Sequence, residues 1–132
     1  MAVVRVTCAL IERQGKLLVA QRARGKALEG RWEFPGGKIA PGESPEACVC
    51  REVVEELGCQ VQIESKLSPV SHAYNEVTVE LMPFHCILLG GEPEALEHKQ
   101  IVWMKPSAIR ALDLAQADIA ILEEYLTKND VS

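Results

Sequence analysis

Apolar and polar residues alternate along much of this chain in the manner of strands. Residues 3–11 and 16–21 are rich in aliphatic side chains, and the turn residues Arg13-Gln14-Gly15 between them predict a hairpin. The basic, glycine-containing stretch 22–31 predicts a loop. The strand pattern recurs at residues 32–34, 61–71, 76–89 and 101–104. A turn near Asn75 is expected to join the two longest of these strands.

A change to helical spacing follows residue 44. Ser44 is a suitable N-cap, Pro45 suits the first helical position and Gly58 suits the C-terminal stop, so we predict a helix over residues 45–57. At 100° per residue, one side of this helix is apolar and would face the core. The residues of that apolar stripe are Ala47, Cys50, Val54 and Leu57.

The second half of the chain predicts another amphipathic helix at residues 115–126, after one or two helical turns at 106–111. Its apolar face would contain Ile119, Leu122 and Leu126. Because strands and helices interleave, we expect an α/β (α+β) fold in which helices cover a mixed sheet. A chain of 132 residues is long enough for one domain, which we predict to span residues 1–132.

Three carboxylates, Glu52, Glu55 and Glu56, fall together on the side of the first helix opposite the apolar stripe. Like charges at this spacing repel and weaken an isolated helix. One interpretation is a solvated acidic surface. The other is a site for a hard divalent cation, because Mg²⁺ prefers oxygen ligands and its charge would relieve the repulsion.

Charge and composition limit the classes of partner. The net charge is −5 and no basic stripe is present, which argues against binding a nucleic-acid polymer. No apolar run approaches the ~20 residues of a membrane-spanning helix, and the N-terminus lacks the pattern of a signal peptide. Five irregularly spaced cysteines are typical of free thiols in a reducing compartment. We therefore expect a cytoplasmic protein without membrane contact.

A spaced pattern decides between the two interpretations of the acidic face. Gly37 is followed after five residues by Glu43, and after seven more by the run 51–58, which reads Arg-Glu-Val-Val-Glu-Glu-Leu-Gly. This pattern resembles the Nudix box, with all its fixed identities present. The position after Gly58 is usually a bulky aliphatic residue and here is Cys59, a departure that we expect to affect packing only.

The flanking segments are similar to those of MutT-like Nudix hydrolases, a subgroup with 8-oxo-dGTP diphosphatases and CTP pyrophosphohydrolases. The resemblance lies in Gln21-Arg22, in residues 32–38 and in residues 114–119 after Trp103. It implies a Nudix fold, in which a mixed sheet is sandwiched between helices (α/β/α). It also implies Mg²⁺-dependent conversion of a nucleoside triphosphate to a monophosphate and pyrophosphate, with Mn²⁺ as a substitute. The implied partner is a small nucleotide, and the implied assembly is a monomer or homodimer.

The resemblance assigns metal-binding roles by matching position. It implies a metal site made of Glu52, Glu55 and Glu56 with the carbonyl of Gly36 or Gly37. Glu97 matches an additional metal-binding or base-like glutamate. Arg51 matches the residue that orients a box carboxylate. We expect Glu52 to be the general base, with Glu43, Glu55 and Glu97 as alternatives.

The candidates for substrate contacts lie mostly outside the box. Arg22 and Lys38 are candidates to hold phosphates, and Gly36-Gly37 would let backbone approach the ligand. Phe34 could stack on the base or belong to the core. Asp118 matches a base-reading position: protonated it would suit the 8-oxopurine face, and ionised the amine of cytosine or guanine. The three histidines, among them His98, show no metal-ligand spacing and are expected to be structural or superficial.

Two other functions share this pattern. One is hydrolysis of a diphosphate-linked substrate such as ADP-ribose, against which the short chain argues. The other is a non-catalytic Nudix-fold binding module, although such modules usually lose the box carboxylates that this chain keeps. We expect a nucleotide-pool sanitising enzyme that acts on 8-oxo-dGTP or on a cytidine triphosphate such as CTP or 5-methyl-dCTP.

Overall fold

The computed structural model describes residues 2–129, so the ends of the predicted domain lie outside the described residues. Within this range, one mixed sheet contains eight strands. The strands are β1 (Ala2–Arg13), β2 (Lys16–Gln21), β3 (Trp32–Glu33), β4 (Gly36–Lys38), β5 (Gln60–Lys66), β6 (Val70–Tyr74), β7 (Val77–Gly90) and β8 (Gln100–Met104). The helices are α1 (Pro45–Leu57), a 3₁₀ helix (Pro106–Ala111) and α2 (Gln116–Asn129).

The long strand β1 lies at the centre of the sheet. It runs parallel to β7 and antiparallel to β2 and β4. The main path through the sheet is β3-β2-β1-β7-β5, while β8 pairs with β2 and β6 pairs with β7. The antiparallel pairing of β4 with residues 6–8 of β1 places the two glycines of β4 against a central strand. The predicted mixed sheet is confirmed.

Two hydrophobic clusters show that the helices cover opposite faces of the sheet. Cys8 and Leu10 of β1 pack with α2 and the 3₁₀ helix, whereas Ala9 and Ile11 pack with α1. Successive side chains of a strand point to opposite faces, so β1 contributes to both clusters. The expected α/β/α arrangement is therefore confirmed.

The predicted strand over residues 61–71 is in fact two strands. β5 ends at Lys66 and β6 begins at Val70, and both pair with β7. The backbone N–H of Ser68, between them, donates to both carboxylate oxygens of Glu124 at 3.0 and 3.1 Å. Helix α2 thus supplies the acceptor for the backbone N–H of Ser68 between the two strands.

The ends of α1 agree with the prediction, but its buried face does not. The side chain of Ser44 accepts from the backbone N–H of Ala47, and Gly58 has φ 67°. Ala47 and Val54, which were predicted to face the core, are exposed. The buried residues of the helix are Cys48, Val49, Val53 and Leu57. The helix is therefore rotated, and its acidic residues border the core stripe.

Helix α2 shows a smaller difference of the same kind. Leu122 and Leu126 are buried as predicted, but Ile119 is 43% exposed. The charged residue Asp118 is buried in its place, together with Ile121 and Tyr125. None of the helices in residues 2–129 has the length and hydropathy needed to cross a lipid bilayer.

Candidate active site

The backbone of Gly36 and Gly37 lies directly against two carboxylates of α1. The N–H of Gly36 donates to Oε1 of Glu56 at 3.2 Å. A Cβ atom on Gly37 would lie 2.5 and 2.6 Å from the two carboxylate oxygens of Glu52, so any side chain there would displace that carboxylate. Strand β4 therefore covers the side of α1 that bears Glu52 and Glu56.

Arg51 connects most of the box carboxylates. Its Nε and Nη2 donate to the two oxygens of Glu43 at 2.7 and 3.0 Å, a bidentate pair. Its Nη1 donates to Glu52 at 3.0 Å and to Glu55 at 3.1 Å, and Nη2 also reaches the carbonyl of Lys38 at 3.2 Å. Arg51 thus contacts three carboxylates of the box, and its orienting role stays a prediction.

The carboxylates of this region differ in their proton affinity. The hydrogen bond from Arg51 lowers the pKa of Glu43 to about 2. Burial raises the pKa of Glu56 to about 8, with the charges of Glu52 and Glu33 adding to the effect. Burial also raises the pKa of Glu52, and Arg51 only partly opposes this. Glu43 is therefore a weak base, whereas Glu52 and Glu56 sit where an added positive charge would be stabilising.

The donor chemistry of these residues suits a hard cation. Carboxylate oxygens of Glu52, Glu55 and Glu56 and the neighbouring backbone carbonyls are the ligand types that Mg²⁺ prefers. In the described part of the chain, however, no three acidic, histidine or cysteine side chains are gathered as a ready-made metal site. Arg51 holds the carboxylates of Glu52 and Glu55, and the N–H of Gly36 holds that of Glu56. Their role as metal ligands stays a prediction.

A cavity of about 90 Å³ adjoins Glu56. It brings together residues from the loop after β2, from β3, from α1 and from the segment before β8. Its lining residues are Arg22, Ala23, Lys26, Glu33, Glu56, Glu97 and His98. Two sequence-predicted residues, Arg22 and Glu97, thus meet the carboxylate helix here. Lys38 is exposed at the end of β4, and no ion pair involves its ammonium group within residues 2–129.

Phe34 and Asp118 form a buried contact next to the sheet. Oδ2 of Asp118 accepts from the backbone N–H of Phe34 at 2.8 Å, and only 4% of Asp118 is exposed. Burial raises the pKa of this carboxyl to about 7, against the opposing effect of the Phe34 N–H. The ring of Phe34 belongs to the core cluster that faces α2. The role of Asp118 in reading the base stays a prediction.

Neither Glu33 nor His98 was predicted from the sequence to be a site residue. Arg22 donates from Nη1 to Oε1 of Glu33 at 2.9 Å, and Nε2 of His98 lies 2.9 Å from Oε2. The expectation of a structural or superficial histidine overlooked that His98 lines the cavity. Glu33 carried one signal: it is a charged residue between Trp32 and Phe34 in a short strand, and so faces away from Phe34.

Comparisons with known proteins agree with this geometry. The family model for the NUDIX domain matches residues 6–124. The CTP pyrophosphohydrolase of Escherichia coli is 35% identical over 126 residues, covering 96% of this chain and 93% of that protein. A putative 8-oxo-dGTP diphosphatase 2 of Mycobacterium tuberculosis is 38% identical over 117 residues, covering 86% and 81%.

Solved structures show the same similarity at the level of the fold. The solution structure of the E. coli ORF135 protein superposes with a TM-score of 0.87 at 34% identity, covering 98% of this chain and 92% of that one. The crystal structure of a MutT NUDIX hydrolase from Burkholderia pseudomallei gives a TM-score of 0.82 at 28% identity, covering 94% and 98%. With the box residues assembled around Arg51 and a family match over most of its length, the chain belongs to the Nudix hydrolase family.

Proposed function

We propose that this Nudix hydrolase is a Mg²⁺-dependent nucleoside triphosphate pyrophosphohydrolase that converts a triphosphate and water to a monophosphate and pyrophosphate. The observation that carries the proposal is the cavity beside α1. Glu56 and Glu97 line it together with the cations Arg22 and Lys26, as expected of a site for a metal-bound polyphosphate. The names of the similar proteins, CTP pyrophosphohydrolase and 8-oxo-dGTP diphosphatase, support this substrate class.

The residues proposed to hold Mg²⁺ are Glu52, Glu55, Glu56, Glu97 and the carbonyl of Gly36 or Gly37. When bound, Mg²⁺ neutralises phosphate oxygens and acidifies the attacking water, and Mn²⁺ is an expected substitute. Water attacks the β-phosphorus and the bond from that phosphorus to the α–β bridging oxygen breaks. The proton of the water passes to Glu52, and the monophosphate leaves with the bridging oxygen.

Glu52 is the best placed of the four candidate bases. Arg51 holds one of its oxygens and leaves the other available, either to Mg²⁺ or to the proton of the attacking water. Glu43 has both oxygens on Arg51 and a pKa of about 2, which makes it a poor proton acceptor. Glu55 is half-exposed on the outer side of Arg51, and Glu97 is exposed at the rim of the cavity.

Asp118 is proposed to read the base. Its pKa of about 7 means that protonated and ionised forms are both populated near neutral pH. If the protonated form donates to an 8-oxopurine, KM for that substrate rises as pH increases above 7. If the ionised form accepts from the amine of cytosine, KM for CTP falls instead. Measuring KM for both substrates between pH 6 and 9 therefore tests which base is preferred.

The same burial predicts an unusual effect of Asp118→Asn on stability. The folded protein binds the Asp118 proton more tightly than the unfolded chain, so wild-type stability falls as pH rises from 3.8 to about 7. Asparagine keeps an acceptor for the Phe34 N–H and does not ionise. We expect the variant to gain up to about 4 kcal/mol over wild type above pH 7.

Urea unfolding at pH 5 and pH 8 measures this effect. The difference between variant and wild type is expected to be larger at pH 8. An equal difference at both pH values would show that Asp118 does not titrate between them.

We further propose that the enzyme acts in the cytoplasm, as a monomer or homodimer, in sanitising the nucleotide pool. The five cysteines are all free, and four of them are buried, which is compatible with a reducing compartment. The charge balance and the small cavity support a free nucleotide as substrate in preference to a nucleic-acid polymer.

The test of the proposed function is pyrophosphate release across a panel of substrates with Mg²⁺. The panel contains dGTP, 8-oxo-dGTP, CTP, dCTP, 5-methyl-dCTP and ADP-ribose. We expect strong turnover of one triphosphate with a monophosphate as the second product. Turnover of ADP-ribose alone would favour a diphosphate-linked substrate. No turnover with either Mg²⁺ or Mn²⁺ would favour the non-catalytic binding module.

A further inference from the structure

Glu33 is the centre of a three-residue network on the wall of the cavity. Arg22 Nη1 donates to one of its carboxylate oxygens at 2.9 Å, and His98 Nε2 lies 2.9 Å from the other. A carboxylate paired with a guanidinium group accepts hydrogen bonds, so Nε2 of His98 donates. The imidazole thus fixes the second oxygen of the carboxylate that aligns Arg22.

The three side chains become more exposed from His98 to Arg22. The exposed fractions are 6% for His98, 17% for Glu33 and 28% for Arg22. The buried imidazole is held by its surroundings, whereas a partly exposed arginine has many rotamers and loses entropy when fixed. The order of burial indicates that the buried His98 orients Glu33 and that Glu33 in turn orients Arg22.

Arg22 also anchors the loop that follows β2. Its backbone N–H donates to the carbonyl of Arg31 at 2.8 Å, its carbonyl accepts from Gly30 at 3.1 Å, and its Nε donates to the carbonyl of Ala27. Both ends and the middle of the loop 22–31 are therefore tied to this one residue. Without the contact to Glu33, the guanidinium group of Arg22 would lose its fixed orientation, and the loop 22–31 would be less well ordered.

The other nitrogen of the imidazole distinguishes His98 from an ordinary buried histidine. Nδ1 is buried and has no hydrogen-bond partner within residues 2–129, although it belongs to a residue that lines the cavity with Glu56 and Glu97. An unpaired buried polar atom is costly, and native proteins generally avoid it. Nε2 is therefore the nitrogen of His98 that contacts the protein.

We propose that His98 is a positioning residue for Arg22: through Glu33, its Nε2 holds the guanidinium group in the orientation that binds the substrate's phosphates. This inference rests on the proposed function, because it presumes that Arg22 contacts a polyphosphate. It adds a residue outside the Nudix box to the phosphate-binding machinery and assigns the role to one nitrogen of the imidazole.

Two substitutions separate the two nitrogens. The amide nitrogen of glutamine reaches the position of Nε2, so His98→Gln keeps a donor to Glu33 and removes Nδ1. The shorter His98→Asn keeps a polar atom near Nδ1 and loses the reach to Glu33. His85→Asn is the matched control, because His85 also contacts a carboxylate, Glu12 at 2.7 Å, and its side chain is only 15% exposed, but it lies outside the cavity.

We expect His98→Asn to raise KM for the preferred triphosphate about tenfold, while kcat changes less than about threefold. His98→Gln is expected to stay within about twofold of wild type in both constants. In an Arg22→Ala background, His98→Asn is expected to have no further effect on KM, because its route of action is already gone. The control His85→Asn is expected to lower the melting temperature without changing KM.

Several results would overturn the proposal. An equal rise in KM in His98→Gln and His98→Asn would show that Nδ1 or the bulk of the ring is what matters. An undiminished effect of His98→Asn in the Arg22→Ala background would show that His98 acts by another route. Unchanged KM in both His98 variants would remove any role. These results require an active wild type, so they differ from failure of the proposed function, in which wild type hydrolyses no triphosphate.

Discussion

Glu52→Gln is expected to lower kcat for triphosphate hydrolysis on the order of a thousandfold, within the range for loss of a general base. Glutamine keeps the shape of the side chain and an acceptor for Arg51, which donates to Glu52 at 3.0 Å, but cannot take a proton from water. Because burial already disfavours the charge of Glu52, its removal is not expected to lower stability. Steady-state kinetics and thermal melts of the same samples measure both effects.

The matched control for this variant is Glu46→Gln. Glu46 lies in the first turn of the same helix and pairs with Lys66 at 3.2 Å, away from the cavity. Its replacement removes the same charge from α1 and is expected to leave kcat within about twofold, since surface ion pairs contribute little. If Glu52→Gln keeps most of its activity, Glu52 is not the proton acceptor.

Gly36→Ala is expected to lower the free energy of unfolding by about 3 kcal/mol, the cost of overpacking against a rigid neighbour. The added Cβ would overlap the carbonyl of Thr7 and would lie 2.6 Å from the Cα of Cys8. Both are backbone atoms of β1, so β4 would have to separate from the central strand. Denaturant unfolding, monitored by circular dichroism, measures this loss.

Gly37→Ala is the natural comparison, because the neighbouring glycine meets a side chain. Its Cβ would contact the carboxylate of Glu52, which can move aside. We expect a loss of stability below about 1 kcal/mol and a loss of activity of at least tenfold, since a small misplacement of a catalytic group is costly. Equal destabilisation by the two variants would contradict this division of roles.

The predictions that rested on fixed spacing agree well with the structure. The Nudix box places Arg51 within reach of Glu43, Glu52 and Glu55. The distances among Arg51, Glu52 and Glu55 are set by the helix on which all three lie. The caps of α1 at Ser44 and Gly58 are equally local. Such features depend on residues near one another in sequence, and a single chain is enough to identify them.

The rotation of α1 could not be predicted in the same way. Ala47 and Val54 are apolar but exposed, whereas Glu52 and Glu56 are partly covered by β4. Apolar periodicity measures which residues tolerate burial, and it cannot register a carboxylate that is buried for its chemistry.

Long-range contacts were the second source of error. The contact between His98 and Glu33 joins residues 65 positions apart, and that between Ser68 and Glu124 joins residues 56 apart. Neither pair has a local signature. The first pairing places a histidine that was expected to be structural or superficial on the cavity wall, and the second lies at the break between β5 and β6.

If Glu56 binds the proposed Mg²⁺, its burial would couple binding of that ion to the release of a proton. With a pKa of about 8, this carboxyl is mostly protonated at neutral pH, yet only its ionised form can bind a metal. Below pH 8, each ion bound through Glu56 would release up to one proton. The affinity for the ion would rise by up to tenfold per pH unit and would level off above pH 8. A rise in pH below 8 would then increase the fraction of enzyme that carries the proposed Mg²⁺ at constant magnesium concentration.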